Sequence, residues 1–148
     1  MEMLEKAEII IQKAFATKTD KAGKAYIGHL YRVREVVKKE GVDEEQQCIA
    51  LLHDLLEDCP EWNAERLAAA HFSSRVIQGV EALTKSDNEQ YSDYLLRVAR
   101  NKDALKVKLA DLQDNMNMER LRKITKADMN RQKKYENAWR ILQSLLRK

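Results

Sequence analysis

The chain has 148 residues, 44% hydrophobic and 34% charged, and its 27 Lys and Arg against 24 Asp and Glu leave a net charge of +3. That composition excludes a disordered segment, and so mild a basic surplus does not by itself argue for nucleic acid. The length fits one domain, 1–148, able to bury a core without disulfides or structural zinc.

One Pro and four Gly favour an all-α chain, because strand-rich folds need more turn punctuation. The N-terminal stretch is acidic and amphipathic, without the basic start and apolar middle of a signal peptide. No apolar run approaches the ~20 residues of a membrane span. A cytoplasmic protein without membrane partners is expected; a homo-oligomer is compatible with the sequence.

Apolar spacing predicts a first helix over about 2–17, with Leu4, Ile9, Ile10, Ala14 and Phe15 near one face. A polar loop follows at 17–24, pinned by Gly23. Its Lys18, Lys21 and Lys24 either grip an anion or face solvent. Residues 26–39 read as a second helix with Ile27, Leu30, Val33, Val36 and Val37 as its buried stripe. His29 lies beside that stripe on the first turn. A lone His there is an ordinary core or cap residue; it gains interest from the His–Asp pair one helix later.

Gly41 ends that helix. Asp43 is the expected N-cap of a third, with Glu44, Glu45 and Gln46 in its first turn. Pro60 implies an end around 57–59. Along 48–60, Cys-Ile-Ala-Leu-Leu-His-Asp-Leu-Leu-Glu-Asp-Cys-Pro, an apolar run closes on His53, Asp54, Glu57 and Asp58. On a continuous helix His53 and Glu57 stand one turn apart, and so do Asp54 and Asp58. Such groups seldom enter a helical interior unless paired or metal-bound. The macrodipole disfavours Glu57 and Asp58 at a helix C-terminus, a conflict that a nearby cation relieves. Cys48 and Cys59, roughly 16 Å apart at helical rise, are too distant for a disulfide and read as reduced buried thiols.

Short helices are predicted over 63–71 and 73–84, the latter capped by Ser73 or Ser74 and carrying Val76, Ile77, Val80 and Leu83. His71 reads as structural or exposed. A polar turn at 84–88 holds Lys85, and 89–100 form a helix with Tyr91, Tyr94, Leu95 and Val98 inward. In 103–117, Leu105, Leu109, Leu112 and Met116 recur at helical spacing, while Asp111 and Asn115 share the next ridge. Alone, Asp111 is as readily a surface residue as a ligand. A closing helix over about 128–147 turns Tyr135, Ala138, Trp139, Leu142, Leu145 and Leu146 to the core, leaving a solvated basic face. That face is preferred as solvated over a nucleic-acid or membrane surface because the apolar stripe is needed inside.

Taken together, His29, His53, Asp54 and Asp111 on three helices make a mixed nitrogen and oxygen donor set. It suits Mn²⁺, Fe²⁺, Ni²⁺ or Zn²⁺ better than Ca²⁺ or copper. Four protein ligands on an octahedral ion leave positions for water and substrate. Glu57 and Asp58 can then orient that water or pass a proton to a leaving oxygen. Lys21, Lys24 and Lys85 can neutralise phosphate. Spacing alone leaves metal-assisted phosphoester hydrolysis and an inert helical bundle both open.

Four ordered segments carry a family resemblance: Lys21-Ala-Gly-Lys-Ala-Tyr-Ile-Gly-His29, Ala50-Leu-Leu-His-Asp-Leu-Leu-Glu-Asp58, Ala82-Leu-Thr-Lys85 and Val107-Lys-Leu-Ala-Asp-Leu-Gln-Asp-Asn115. The chain resembles the HD-domain metal-dependent phosphohydrolases, and within them the hydrolase domain of RelA/SpoT-type alarmone enzymes and their small stand-alone relatives. The likeness covers roughly 5–120. It implies a single HD-type helical bundle in which His29, His53, Asp54 and Asp111 hold one divalent ion, usually Mn²⁺. It further implies that Glu57 and Asp58 activate the water that removes pyrophosphate from the ribose 3′ position of (p)ppGpp, and that Asn115 contacts the ribose. The chain departs from that pattern at Asp20 and Ala22, where Arg and Ser are usual, and at Ala25, where Pro is usual. Leu112-Gln113-Asp114-Asn115 stands where Arg-Leu-His-Asn is usual. A small nucleotide is the expected partner, with another nucleotide or nucleoside monophosphate, or a non-catalytic nucleotide sensor, as alternatives.

Overall fold

Nine helices run through the residues that the computed structural model describes, 2–41, 43–118 and 121–146. They are α1 (Met3–Ala14), α2 (Ile27–Lys39), α3 (Glu44–Leu52), α4 (Leu55–Asp58), α5 (Ala64–Ala69), α6 (Ser74–Ala82), α7 (Tyr91–Ala99), α8 (Lys102–Met116) and α9 (Lys126–Leu146). Among these residues the extended pairing is confined to one isolated bridge, Thr19 to Ala25, which closes the lysine loop. The fold is all-α.

Helix α3 is the hub. Its N-cap is the one the sequence predicts, Asp43, which accepts the Gln46 amide at 3.1 Å. Cys48, Ile49, Ala50, Leu51 and Leu52 are all fully buried, so the helix is apolar on every side and must be surrounded. α1, α2, α6 and α8 supply that surround. Each large side chain buried here contributes ~1.5–3 kcal/mol by its removal from water. At the α6 crossing, a Cβ on Gly79 would stand 2.5 Å from Cδ1 of Ile49, so any larger residue there requires Ile49 to shift.

Three expectations are corrected. The buried stripe of α1 is Ala7, Ile11 and Phe15, and Ile9 is exposed, because the helix presents the i, i+4, i+8 row to α3. Leu146 is 48% exposed at the end of α9, whose buried apolar positions are Ala138 and Leu142. The third helix is not continuous: α3 stops at Leu52, and α4 starts at Leu55. A continuous helix would give the Ala50 carbonyl to the amide four residues on; here that carbonyl accepts the Nδ1–H of His53 at 2.6 Å. The helix turns where the chemistry-bearing pair sits.

His71 is exposed, with a left-handed φ of 67°, between α5 and α6. Cys48 and Cys59 are both free and buried. No helix among the described residues is long and apolar enough to cross a membrane.

A candidate metal centre and its pocket

His29 comes from the first turn of α2, His53 and Asp54 from the break between α3 and α4, and Asp111 from the middle of α8. Their polar atoms meet. His29 Nε2 lies 2.9 Å from Asp111 Oδ1 and 3.8 Å from Asp54 Oδ2. His53 Nε2 lies 3.2 Å from Asp54 Oδ2 and 3.4 Å from Asp111 Oδ1. His29, His53 and Asp54 offer ligand atoms within 4.8 Å of one another, the spacing a single ion can bridge. His29, His53 and Asp111 are buried, and Asp54 is half-buried.

The far side of each ring decides what Nε2 can do. The Nδ1–H of His53 is donated to a main-chain carbonyl. His29 Nδ1 lies 2.7 Å from Asp114 Oδ2, a carboxylate that can only accept, so the proton sits on Nδ1 there as well. Both rings therefore turn Nε2 toward two carboxylates. That arrangement requires positive charge between them, either protons on Nε2 or a cation. Two imidazole nitrogens and two carboxylate oxygens form a donor set that fits a divalent ion.

The electrostatics follow from the same contacts. Burial works against a charged His29, but hydrogen bonds to Asp111 and Asp114 and the neighbouring carboxylate charges outweigh it and hold its pKa up at about 10. Burial likewise opposes the His53 imidazolium, and the charges of Asp54 and Asp111 overcome it and raise its pKa. Asp111 resists ionisation through burial, yet the Lys108 ammonium and the two rings hold its carboxyl well below the usual range. For Asp114 burial is again opposed and overcome, here by His29 and Arg32, which bring it down to about 2.

Four supporting residues, Tyr26, Lys108, Asp114 and Arg32, were not singled out by spacing. Tyr26 donates its hydroxyl to Asp54 Oδ2 at 2.5 Å. Lys108 Nζ donates to Asp111 Oδ2 at 3.0 Å, and Asn115 Nδ2 donates to Asp111 Oδ1 at 3.0 Å. Asp114 takes His29 on one side and Arg32 on the other. Tyr26 stands three residues before His29, Lys108 three before Asp111 and Asp114 three after it, a separation that puts each pair on one helix face. That was the available signal.

Glu57 and Asp58 are exposed residues of α4, although the Glu57 carboxyl is partly shielded from water. Glu57 Oε1 accepts the Lys85 amide at 2.5 Å, and Asp58 Oδ2 accepts the Lys18 ammonium at 2.7 Å. Burial raises the Glu57 pKa; the Lys85 amide opposes this, while the charges of Asp54 and Asp58 add to it. Lys85 meets Glu57 through its main-chain amide, and its ammonium donates to Ser86 O at 3.1 Å.

Beside His29 opens a cavity of about 360 Å³, within the range of small-molecule sites. Lys21 and Asn115 line it; Lys24 is exposed outside it. Lys18 lines it too, with its ammonium 4.1 Å from the Tyr26 ring centroid, and so bridges the cavity to Asp58. The opposite wall is α9, through Arg131, Gln132 and Tyr135. The basic face of α9 is thus not wholly solvated: Arg131 pairs with Asp128 at the cavity, which the apolar pattern of that helix could not reveal.

Known proteins extend this picture. Residues 7–141 match the family model described as the HD domain. The guanosine-3′,5′-bis(diphosphate) 3′-pyrophosphohydrolase of Vibrio cholerae is 28% identical over 127 residues, covering 78% of this chain and 18% of that protein. The protein of the same name from Aquifex aeolicus is 29% identical, over 78% of this chain and 17% of its own length. The chain therefore spans less than a fifth of the curated relatives it matches. Among solved structures, a metazoan ortholog of SpoT, described as hydrolysing ppGpp, superposes with a TM-score of 0.73 over 92% of this chain and 82% of that one, at 18% identity. That likeness concerns the fold. With the family model covering nearly the whole length and the paired His and Asp side chains gathered at one point, the chain belongs to the HD domain family.

Proposed function

We propose that this chain is a metal-dependent phosphohydrolase of a small nucleotide, with the 3′-pyrophosphate of (p)ppGpp as the leading substrate. The observation that carries the reading is the approach of His29 Nε2 and His53 Nε2 to both Asp54 and Asp111, with both Nδ1 atoms committed elsewhere. These four residues would hold one divalent ion, Mn²⁺ by preference. When bound, it supplies positive charge that polarises a phosphoryl oxygen and makes nearby water more acidic.

The chain's own residues do the remainder. Glu57, whose carboxylate is raised in pKa by burial, takes a proton from the attacking water. Asp58 orients that water and relays the proton taken up by Glu57 to the departing ribose 3′ oxygen. Water adds to the phosphorus nearest the ribose, the P–O bond to the ribose breaks, and pyrophosphate leaves with a 3′-hydroxyl nucleotide as the other product. Lys18, Lys21 and Arg131 neutralise phosphate in the pocket, Asn115 meets the ribose, and Tyr26 holds Asp54. The reading takes the chain as a single HD unit, and its two buried free thiols suit the reducing cytoplasm.

A second reading keeps the chemistry and changes the base. Asp20 Oδ1 accepts the amides of Ala22 and Lys24, both at 2.9 Å, so the side chain belongs to its own turn and lacks the planar cation that stacks on guanine. A nucleotide panel assayed with Mn²⁺ separates the two. Release of pyrophosphate from ppGpp supports the first; turnover confined to adenine or monophosphate substrates supports the second; no metal-dependent turnover of any nucleotide contradicts both.

A further inference from the structure

The two candidate imidazole ligands are held by different means. His53 is oriented by the Ala50 carbonyl, a main-chain group that no substitution removes. His29 is oriented by a side chain, the Asp114 carboxylate, whose Oδ2 lies 2.7 Å from Nδ1. Asp114 is itself clamped: Arg32 Nε donates to Oδ1 at 2.8 Å and Nη2 donates to Oδ2 at 3.1 Å. This is a planar fork on a carboxylate, the geometry that fixes both oxygens at once. The Asp114 side chain is 8% exposed, and Arg32 covers it from the surface at 37%. His29 and Arg32 share one face of α2, so the guanidinium and the imidazole grip the same carboxylate from a common rigid element. Asp114 also occupies a position where the chain departs from the pattern it resembles.

We propose that Asp114, clamped by Arg32, is the positioning residue of the metal centre, fixing His29 in the tautomer that turns Nε2 toward Asp54 and Asp111. The inference rests on His29 being a metal ligand. A carboxylate behind a ligating imidazole raises the electron density on the ligating nitrogen and stops the ring from flipping, and losing such a partner typically weakens metal binding by about 10- to 100-fold. Arg32 keeps this carboxylate from adding a third unbalanced negative charge to the centre. Asp114 is assigned no contact with substrate; its effect travels through the ring.

The test is a Mn²⁺ titration of the full chain, with free ion read by room-temperature electron paramagnetic resonance. Asp114→Asn keeps an acceptor without the charge, and Asp114→Ala removes both. Their fold is checked by circular dichroism, and the His29 tautomer by ¹⁵N correlation spectra. About a tenfold weaker affinity is expected for Asp114→Asn and up to about 100-fold for Asp114→Ala, with a tautomer shift at His29 and none at His53. Arg32→Gln, at a more exposed position, should weaken binding less than Asp114→Ala and decides the matter if that variant does not fold. Parent protein that binds no Mn²⁺ overturns the metal reading itself. Parent binding one ion, with folded variants within twofold of it, leaves the centre standing and overturns the role of Asp114.

Discussion

Oδ1 of Asp111 lies 2.9 Å from Nε2 of His29 although 82 residues separate them, and Oδ2 of the same carboxylate takes the Lys108 ammonium at 3.0 Å. One side chain thus ties α2 to α8 and balances a nearly buried lysine. Asp111→Asn should abolish metal retention and activity together. It should also destabilise the metal-free protein by about 3–5 kcal/mol, because it strands the Lys108 charge. Urea denaturation in a chelator measures this, and an unchanged midpoint would show that the lysine finds another partner.

Glu57→Gln should keep the metal yet slow turnover by roughly 10²-fold or more, on the usual scale for general acid–base groups. The pH dependence has a definite sign. A base must be deprotonated to act, so kcat/KM falls as pH drops through the Glu57 pKa. Burial and the adjacent acids place that pKa above the ordinary 4.5 of a glutamate, so the acid limb should lie above 4.5. In Glu57→Gln the limb should disappear; a limb that persists unmoved assigns it to another group.

Arg131 faces the cavity from α9 but is shared with Asp128. Arg131→Ala should raise KM for a doubly phosphorylated nucleotide by about tenfold, the scale of one charge-assisted hydrogen bond, with little change in kcat. Equal KM values for variant and parent would remove α9 from substrate binding.

Gly79→Ala tests the packing that supports the centre. Alanine favours a helix over glycine by about 1 kcal/mol, yet its Cβ would meet Ile49 at 2.5 Å in the core beneath His53. Overpacking should win, lowering stability by about 1–3 kcal/mol in a denaturation curve. A stabilised variant would mean that Ile49 can yield at no cost.

Much of this was legible in the residues. Apolar periodicity located the helices, and the caps Asp43 and Ser73 marked where two of them begin. The concentration of His and Asp at the end of an apolar run announced a site. The break at His53 was not legible, because it depends on a ring taking a carbonyl that periodicity assigns to the helix. Ile9 was misplaced since three consecutive isoleucines, Ile9, Ile10 and Ile11, leave the phase of the stripe ambiguous, and only the packing partner selects Ile11. No spacing sets Arg32, Lys108 and Asp114 apart until the fold brings them behind the ligands. The pocket wall on α9 was hidden for a related reason: a basic face looks the same whether it meets water or a cleft.

The most direct measurement is anomalous scattering from crystals grown with manganese. The account predicts one peak per chain, enclosed by His29, His53, Asp54 and Asp111, and its loss in His53→Ala. Density with no ion between those four side chains, in crystals where manganese is bound elsewhere or nowhere, would contradict it.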